Sequence, residues 1–182
     1  MSSDVPDWLS AAREHWVNRG VVRPAFAIAP GPGQESVWDY PRPPAIVPDG
    51  RLVEVFAGTV RLASTSSAIR VLETSHPPSF YVPPEALAAN ALVATAGRSH
   101  CEWKGQAEYL SVAGSAAPVG WRYPNPYPAF AHFAGWASFY PGQVRCVVDG
   151  SVVSAQAGGF YGGWITPDVV GPFKGEPGST AW

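Results

Sequence analysis

Charge is scarce in this chain. Asp, Glu, Lys and Arg make up 14% of its 182 residues, against roughly a quarter in an ordinary globular protein. The formal net charge is −2 and Lys and Arg form no cluster, so an electrostatic grip on nucleic acid is not expected. Long apolar runs are missing too. None approaches the ~18 residues needed to cross a bilayer, so no membrane partner is expected. The opening MSSDVPDWLS has no basic start followed by an apolar stretch, which leaves no sign of an export signal and suggests a cytoplasmic protein. Cysteine is limited to Cys101 and Cys146, too few and too far apart for a disulfide framework. There is no CxxC, and His15, His76, His100 and His132 lack ligand spacing, so neither a metal nor a cofactor is expected. GxxxxGK[ST] and GxSxG are absent as well, which removes the phosphate loop and the nucleophile elbow.

What is present is apolar material at 46%, enough for a core, together with 19 Gly and 20 Pro. That excess favours short strands, turns and extended arms over long helices. Asp7 to Asn18 reads as a short helix capped by Asp4 or Asp7, with Trp8, Ala11, Ala12, His15 and Trp16 on one stripe that docks on the body. Residues 21–50 carry too much proline for a helix or a central strand and read as an extended arm pinned by Trp38 and Tyr40. A hairpin follows over 52–63, then strands at 69–73 and 79–82, a helical turn at 84–89, and a strand at 106–112. GWRY at 120–123 is another strand, and PAFAHFA at 128–134 a short helix. WASFY (136–140) and QVRCVV (143–148) are expected to pair across Pro141-Gly142, and Asp149-Gly150 marks a two-residue hairpin into 151–154. From Ala155 the chain is rich in glycine and aromatics, a second arm that packs. The expectation is a β domain over 51–154 flanked by arms at 1–50 and 155–182. Its fold class is all-β: a small folded-over antiparallel sheet or barrel with a short N-terminal helix.

Chemistry concentrates in Ser99 to Leu110, SHCEWKGQAEYL. A nucleophilic cysteine needs a cationic neighbour to lower its pKa, and Lys104 follows Cys101 across a turn that ends at Gly105. The bland alternative is a buried structural thiol beside a surface lysine. Lys104 and Glu73 both adjoin apolar segments, and a buried ammonium and a buried carboxylate each need a partner. The two are therefore expected to pair, either to orient a ligand's anionic group or to hold two strands together, with Glu108 as the alternative partner. Tyr81, Trp103, Tyr109, Trp121, Tyr123, Phe139 and Tyr140 fall on or beside strands, as core, as a pocket floor, or as both.

VLETSHPPSFYVP, CEWKGQAEY, GWRYPNPYPAF and FYPGQV in that order resemble the family numbered 427 among domains of unknown function, over residues 52–154. The arms, with VWDYPRPP and GGFYGGWITPDVVGPFKGEPG, look like those of its longer actinobacterial members. The family's motifs fall here on Glu73, Tyr81, Pro83, Cys101, Lys104, Gly105, Trp121 and Tyr123. The resemblance implies a folded-over sheet like that of methionine sulfoxide reductase B. Zinc is not implied, because the paired CxxC motifs of those relatives are missing. A nucleotidyltransferase-like label goes with the family, but the glycine-serine motif followed by paired aspartates does not occur here.

The expected function is small-molecule binding, in a catalytic form with Cys101, Lys104 and Glu73 at the reacting centre. Tyr81, Trp121, Tyr123, Glu108 and Trp103 would then contact the substrate. The alternative from another class is a non-catalytic scaffold that forms a homodimer through its aromatic arms. Nucleotidyl transfer is a third, minor reading.

Overall fold

The computed structural model describes residues 7–179 and 182. Helix α1 (Asp7–Glu14) carries Asp7 in its first turn and Arg13 in its last, so each charge sits at the end where the helix dipole favours it. It ends at Glu14 rather than Asn18, and its buried residue is Leu9, while Trp8 is 56% exposed. Trp16, beyond the helix, does dock on the body. Asp4, one of the two expected caps, lies outside the described residues.

The strands are short, as the proline and glycine content dictates. In chain order they are β1 (Glu35–Ser36), β2 (Ala45–Asp49), β3 (Val53–Ala57), β4 (Val60–Thr65), β5 (Ala68–Leu72), β6 (Ser79–Tyr81), β7 (Leu92–Cys101) and β8 (Gly105–Val112). They continue with β9 (Pro118–Arg122), β10 (Ala137–Phe139), β11 (Arg145–Val148), β12 (Ser151–Val152), β13 (Ser154–Ala155), β14 (Trp164–Ile165) and β15 (Val169–Val170). Pairing is antiparallel except between β1 and β15.

Three sheets make the body. Strands β2-β5-β6 form one and β10-β9-β8-β7 another. Val82 and Ala137 exchange backbone hydrogen bonds of 2.8 and 3.0 Å and bridge the two into one curved run. The third sheet, β12-β11-β3-β4, contributes to the same core as that run. The chain is thus a folded-over antiparallel architecture, and among the described residues no sheet closes into a barrel.

One local expectation is corrected, and two elements are added to the sequence reading. WASFY and QVRCVV do not pair with each other: β10 pairs with β9, while β11 pairs with β3 and β12. Pro141-Gly142 makes a turn that carries the chain from one sheet to the next instead of a hairpin. Leu92–Cys101, assigned no element from the sequence, is the long edge strand β7. The proline-rich arm holds β2, which lies at a sheet edge, where the missing N–H of Pro48 is tolerated. The Asp149-Gly150 hairpin forms as expected, with φ of 45° and 78° at the two turn residues, the positive pair that a tight turn of this kind requires.

The curved run has two apolar faces. One meets β3, β4 and β11 through Val53, Val55, Leu62, Phe80, Leu110, Phe139 and Trp164. The other carries Ile69, Val71, Tyr81, Trp121, Tyr123 and Phe133. A β-bulge sorts residues between them. Leu110 pairs with Gly120 and Ser111 with Pro118, so Val119 is an extra residue on its strand. That reverses the alternation: Val119 enters the first face and Trp121 the second. Gly120 makes the arrangement possible, since a Cβ there would lie 2.2 Å from the Ser138 carbonyl oxygen.

Candidate functional site

The second face holds a cavity of about 280 Å³, small by the standard of drug-sized pockets. Its polar end comes from two turns. Glu73 follows β5 directly, and His76 lies in the same turn, with its N–H donating to the Glu73 carbonyl at 3.0 Å. Cys101 and Lys104 flank the turn joining β7 to β8. Cys101 pairs with Gly105, whose φ of +100° suits glycine in a tight closure. The thiol, the ammonium and the carboxylate expected to meet all line this one cavity.

Glu73 is held between two cations. Lys104 Nζ lies 3.6 Å from Oε2 and the Arg42 guanidinium Nε 3.4 Å from Oε1. Arg42 is itself fixed: its Nη2 donates to the Thr74 carbonyl at 2.7 Å, its Nη1 to the Asn18 carbonyl at 3.2 Å, and its guanidinium stacks 4.1 Å from the Trp16 ring. Burial works against the Glu73 carboxylate, but Lys104, His76 and Arg42 outweigh it and hold its pKa below the ordinary value. Burial also works against the Lys104 ammonium, and Cys101, Glu73 and Tyr81 more than compensate, so its pKa is raised. Both groups are charged at neutral pH. The pairing of Lys104 with Glu73 read from sequence is present, and Glu108 instead pairs with Arg122 and, at 3.5 Å, with Arg98.

Cys101 departs from the sequence expectation in one respect. Its pKa is raised, because burial pushes the thiol up further than Lys104 pulls it down. Tyr123 and Lys104 both engage its sulfur. The thiol is therefore protonated at neutral pH, although it stays within reach of the cavity, being only half-buried. His76 is also neutral: burial brings its pKa down to about 4, and its Nδ1 accepts from Gln156 Nε2 at 2.9 Å.

Rings make the remaining wall. Trp121 Nε1 donates to the Tyr81 hydroxyl at 3.0 Å, which leaves both rings locked and the phenol pKa pushed up to about 12 by burial. Tyr140 packs 4.6 Å from Trp121. Gly162 lies flat on the indole, since a Cβ there would come within 2.1 Å of Trp121 Cη2. Tyr161 faces His76 at 4.7 Å. Trp103 and Glu108, expected to contact substrate, are not among the residues lining the cavity. Trp103 is buried beneath Arg13, which sits 5.3 Å over its ring.

Sequence reasoning missed Arg42, His76, Gln156, Trp16 and Tyr161. HPP beside Glu73 and the isolated arginine in YPRPP were visible signals that a polar residue was being placed. Gln156 had none, because its role exists only in space: it joins His76, the Lys174 carbonyl and the Gly163 N–H.

A family model described as domain of unknown function 427 matches residues 45–150. No curated protein matches the chain. The matched stretch begins at β2 and contains Glu73, Tyr81, Cys101, Lys104, Trp121 and Tyr123. Trp16, Arg42, Gln156 and Tyr161 lie outside it. Glu73, Cys101, Lys104 and the inner rings thus come from the family portion, while the two arms add Arg42 and Gln156 to the polar end and Trp16 and Tyr161 to the walls.

Proposed function

The chain belongs to the domain-of-unknown-function 427 family, and we propose from its geometry that it binds a small molecule in the ring-lined cavity, with the ligand's polar end on Glu73, Lys104 and Cys101. The observation that carries this reading is the convergence of a carboxylate, an ammonium and a thiol on one cavity in a charge-poor chain. Buried charges are costly unless matched, and here they are matched beside a space that a ligand can enter.

Charge balance narrows the ligand. On the lining Lys104 faces Glu73 and Glu102, which also accepts from Trp16 Nε1 at 2.8 Å, and Arg42, behind the lining, neutralises the second carboxylate through Glu73. A neutral or zwitterionic molecule suits such a lining, and a triphosphate does not, which weighs against nucleotidyl transfer. In the catalytic form of this reading, Lys104 polarises a carbonyl and Glu73 keeps Lys104 charged. Burial keeps the Cys101 thiol protonated and so opposes its action as a nucleophile. The homodimer reading has less support, because Trp38, Tyr40 and Trp164 are already buried within their own chain.

A thermal-shift screen of the full chain tests the proposal, with neutral, zwitterionic and nucleoside triphosphate compounds run on the wild type and on Trp121→Ala. Neutral or zwitterionic compounds are expected to raise the wild-type melting temperature and to lose that effect in the variant. Absence of any shift, or a shift from triphosphates alone that persists in Trp121→Ala, contradicts it.

A further inference from the structure

A second hollow of about 350 Å³ adjoins the first and shares Tyr109, Tyr140 and Tyr161 with it. Its own lining includes Pro118, Pro141 and Gln143, and no charged side chain is among the described residues that form it. The inner hollow therefore ends in charge, and the outer one offers rings, prolines and amide groups. A molecule spanning both needs a polar head and an apolar tail.

The head is constrained by what it must face. Lys104 Nζ and Glu73 Oε2 lie 3.6 Å apart and present a donor and an acceptor side by side. A carboxylate head meets repulsion from Glu73, and an ammonium head meets it from Lys104. A carboxamide or lactam edge satisfies both, its carbonyl oxygen accepting from Nζ while its N–H donates to the carboxylate. A zwitterion also matches the two charges, but taking it from water into a ring-walled hollow costs more than taking a neutral amide.

Resting on the small-molecule reading above, we infer that the ligand is an elongated neutral molecule with a carboxamide or lactam head on the Lys104–Glu73 pair and an apolar tail in the outer hollow beside Tyr140. Titration of the full chain by calorimetry tests this, using benzamide, 3-phenylpropanamide, 4-phenylbutanamide and L-phenylalanine as probes. Affinity should rise at least about tenfold from benzamide to 4-phenylbutanamide, as added methylenes are buried. Gln143→Trp, a change at an exposed position that fills the outer hollow, should cut that ratio to about one. Ala155→Met repeats the block on the same wall should Gln143→Trp fail to fold. Equal binding of short and long amides, or tighter binding of L-phenylalanine than of 3-phenylpropanamide, overturns the inference and leaves the small-molecule reading standing. If no amide binds while compounds of the thermal-shift screen do, the inference alone fails. If neither experiment finds a ligand, both fail.

Discussion

Cys146 and Cys101 mark the two apolar faces of this protein. Cys146 is fully buried between the sheets among Val53, Val55 and Leu62, and burial alone raises its thiol pKa. Cys101 faces the cavity with Lys104, Glu73 and Tyr123 around it, and its raised pKa is a contest between burial and the ammonium. The first face is closed and almost wholly aliphatic and aromatic hydrocarbon. The second carries phenols, an indole N–H and paired charges. Packing explains the first completely. It does not explain why the second face carries polar groups beside a hollow, and the ligand proposed above would.

The largest break in this comparison is expected on the closed face. Trp164 is fully buried, stacks on Phe80 at 4.9 Å and donates to the Phe139 carbonyl at 2.9 Å. Trp164→Ala should cost about 4 kcal/mol in denaturant unfolding. Trp121→Ala should cost less, because its ring borders a hollow, and equal losses would erase the distinction between the faces.

Next is a pH effect confined to the cavity side. The folded pKa of His76 is about 4 and its ordinary value 6.5, so between those values the unfolded chain binds the extra proton. Stability is therefore full above pH 6.5 and falls on acidification toward pH 4, by about 3 kcal/mol. Glu73, with its depressed pKa, adds a loss below its ordinary value of 4.5. Urea unfolding from pH 7 to 4 should show the fall, and His76→Gln should flatten its upper part. An unchanged slope in that variant would remove His76 from the account.

A smaller effect sharpens the polar end. Glu73→Gln strips Lys104 and Arg42 of their shared carboxylate and should destabilise more than Lys104→Met, which leaves Glu73 on Arg42, and the double variant should lose less than the sum of the two. The coupling energy should be about 1–2 kcal/mol, discounted for water in the cavity. Strict additivity would make the 3.6 Å pair energetically empty.

Much of the closed face could be read from the chain alone, because alternation at Val53–Ala57 and the Asp149-Gly150 turn act locally. The polar end was legible for a different reason: Glu73, Cys101 and Lys104 are conspicuous in a sequence with so little charge. β7 escaped because LVATAGRSHC has the small and polar character of an exposed edge. The partners of β10 and β11 escaped because a Pro-Gly turn looks alike whether it reverses a strand or changes sheets. Arg42 and Gln156 act through residues about 30 and 80 positions away, a relation that only the fold creates.

Alkylation of the native protein with iodoacetamide, mapped by mass spectrometry from pH 7 to 10, tests the open-face claim most directly. Modification is expected at Cys101 alone, at a rate still climbing past pH 9 because its pKa lies above the ordinary 9.0, with Cys146 untouched until the chain unfolds. Labelling of Cys146 ahead of Cys101, or of neither thiol at pH 10, would mean that the ring-lined face is as closed as the other.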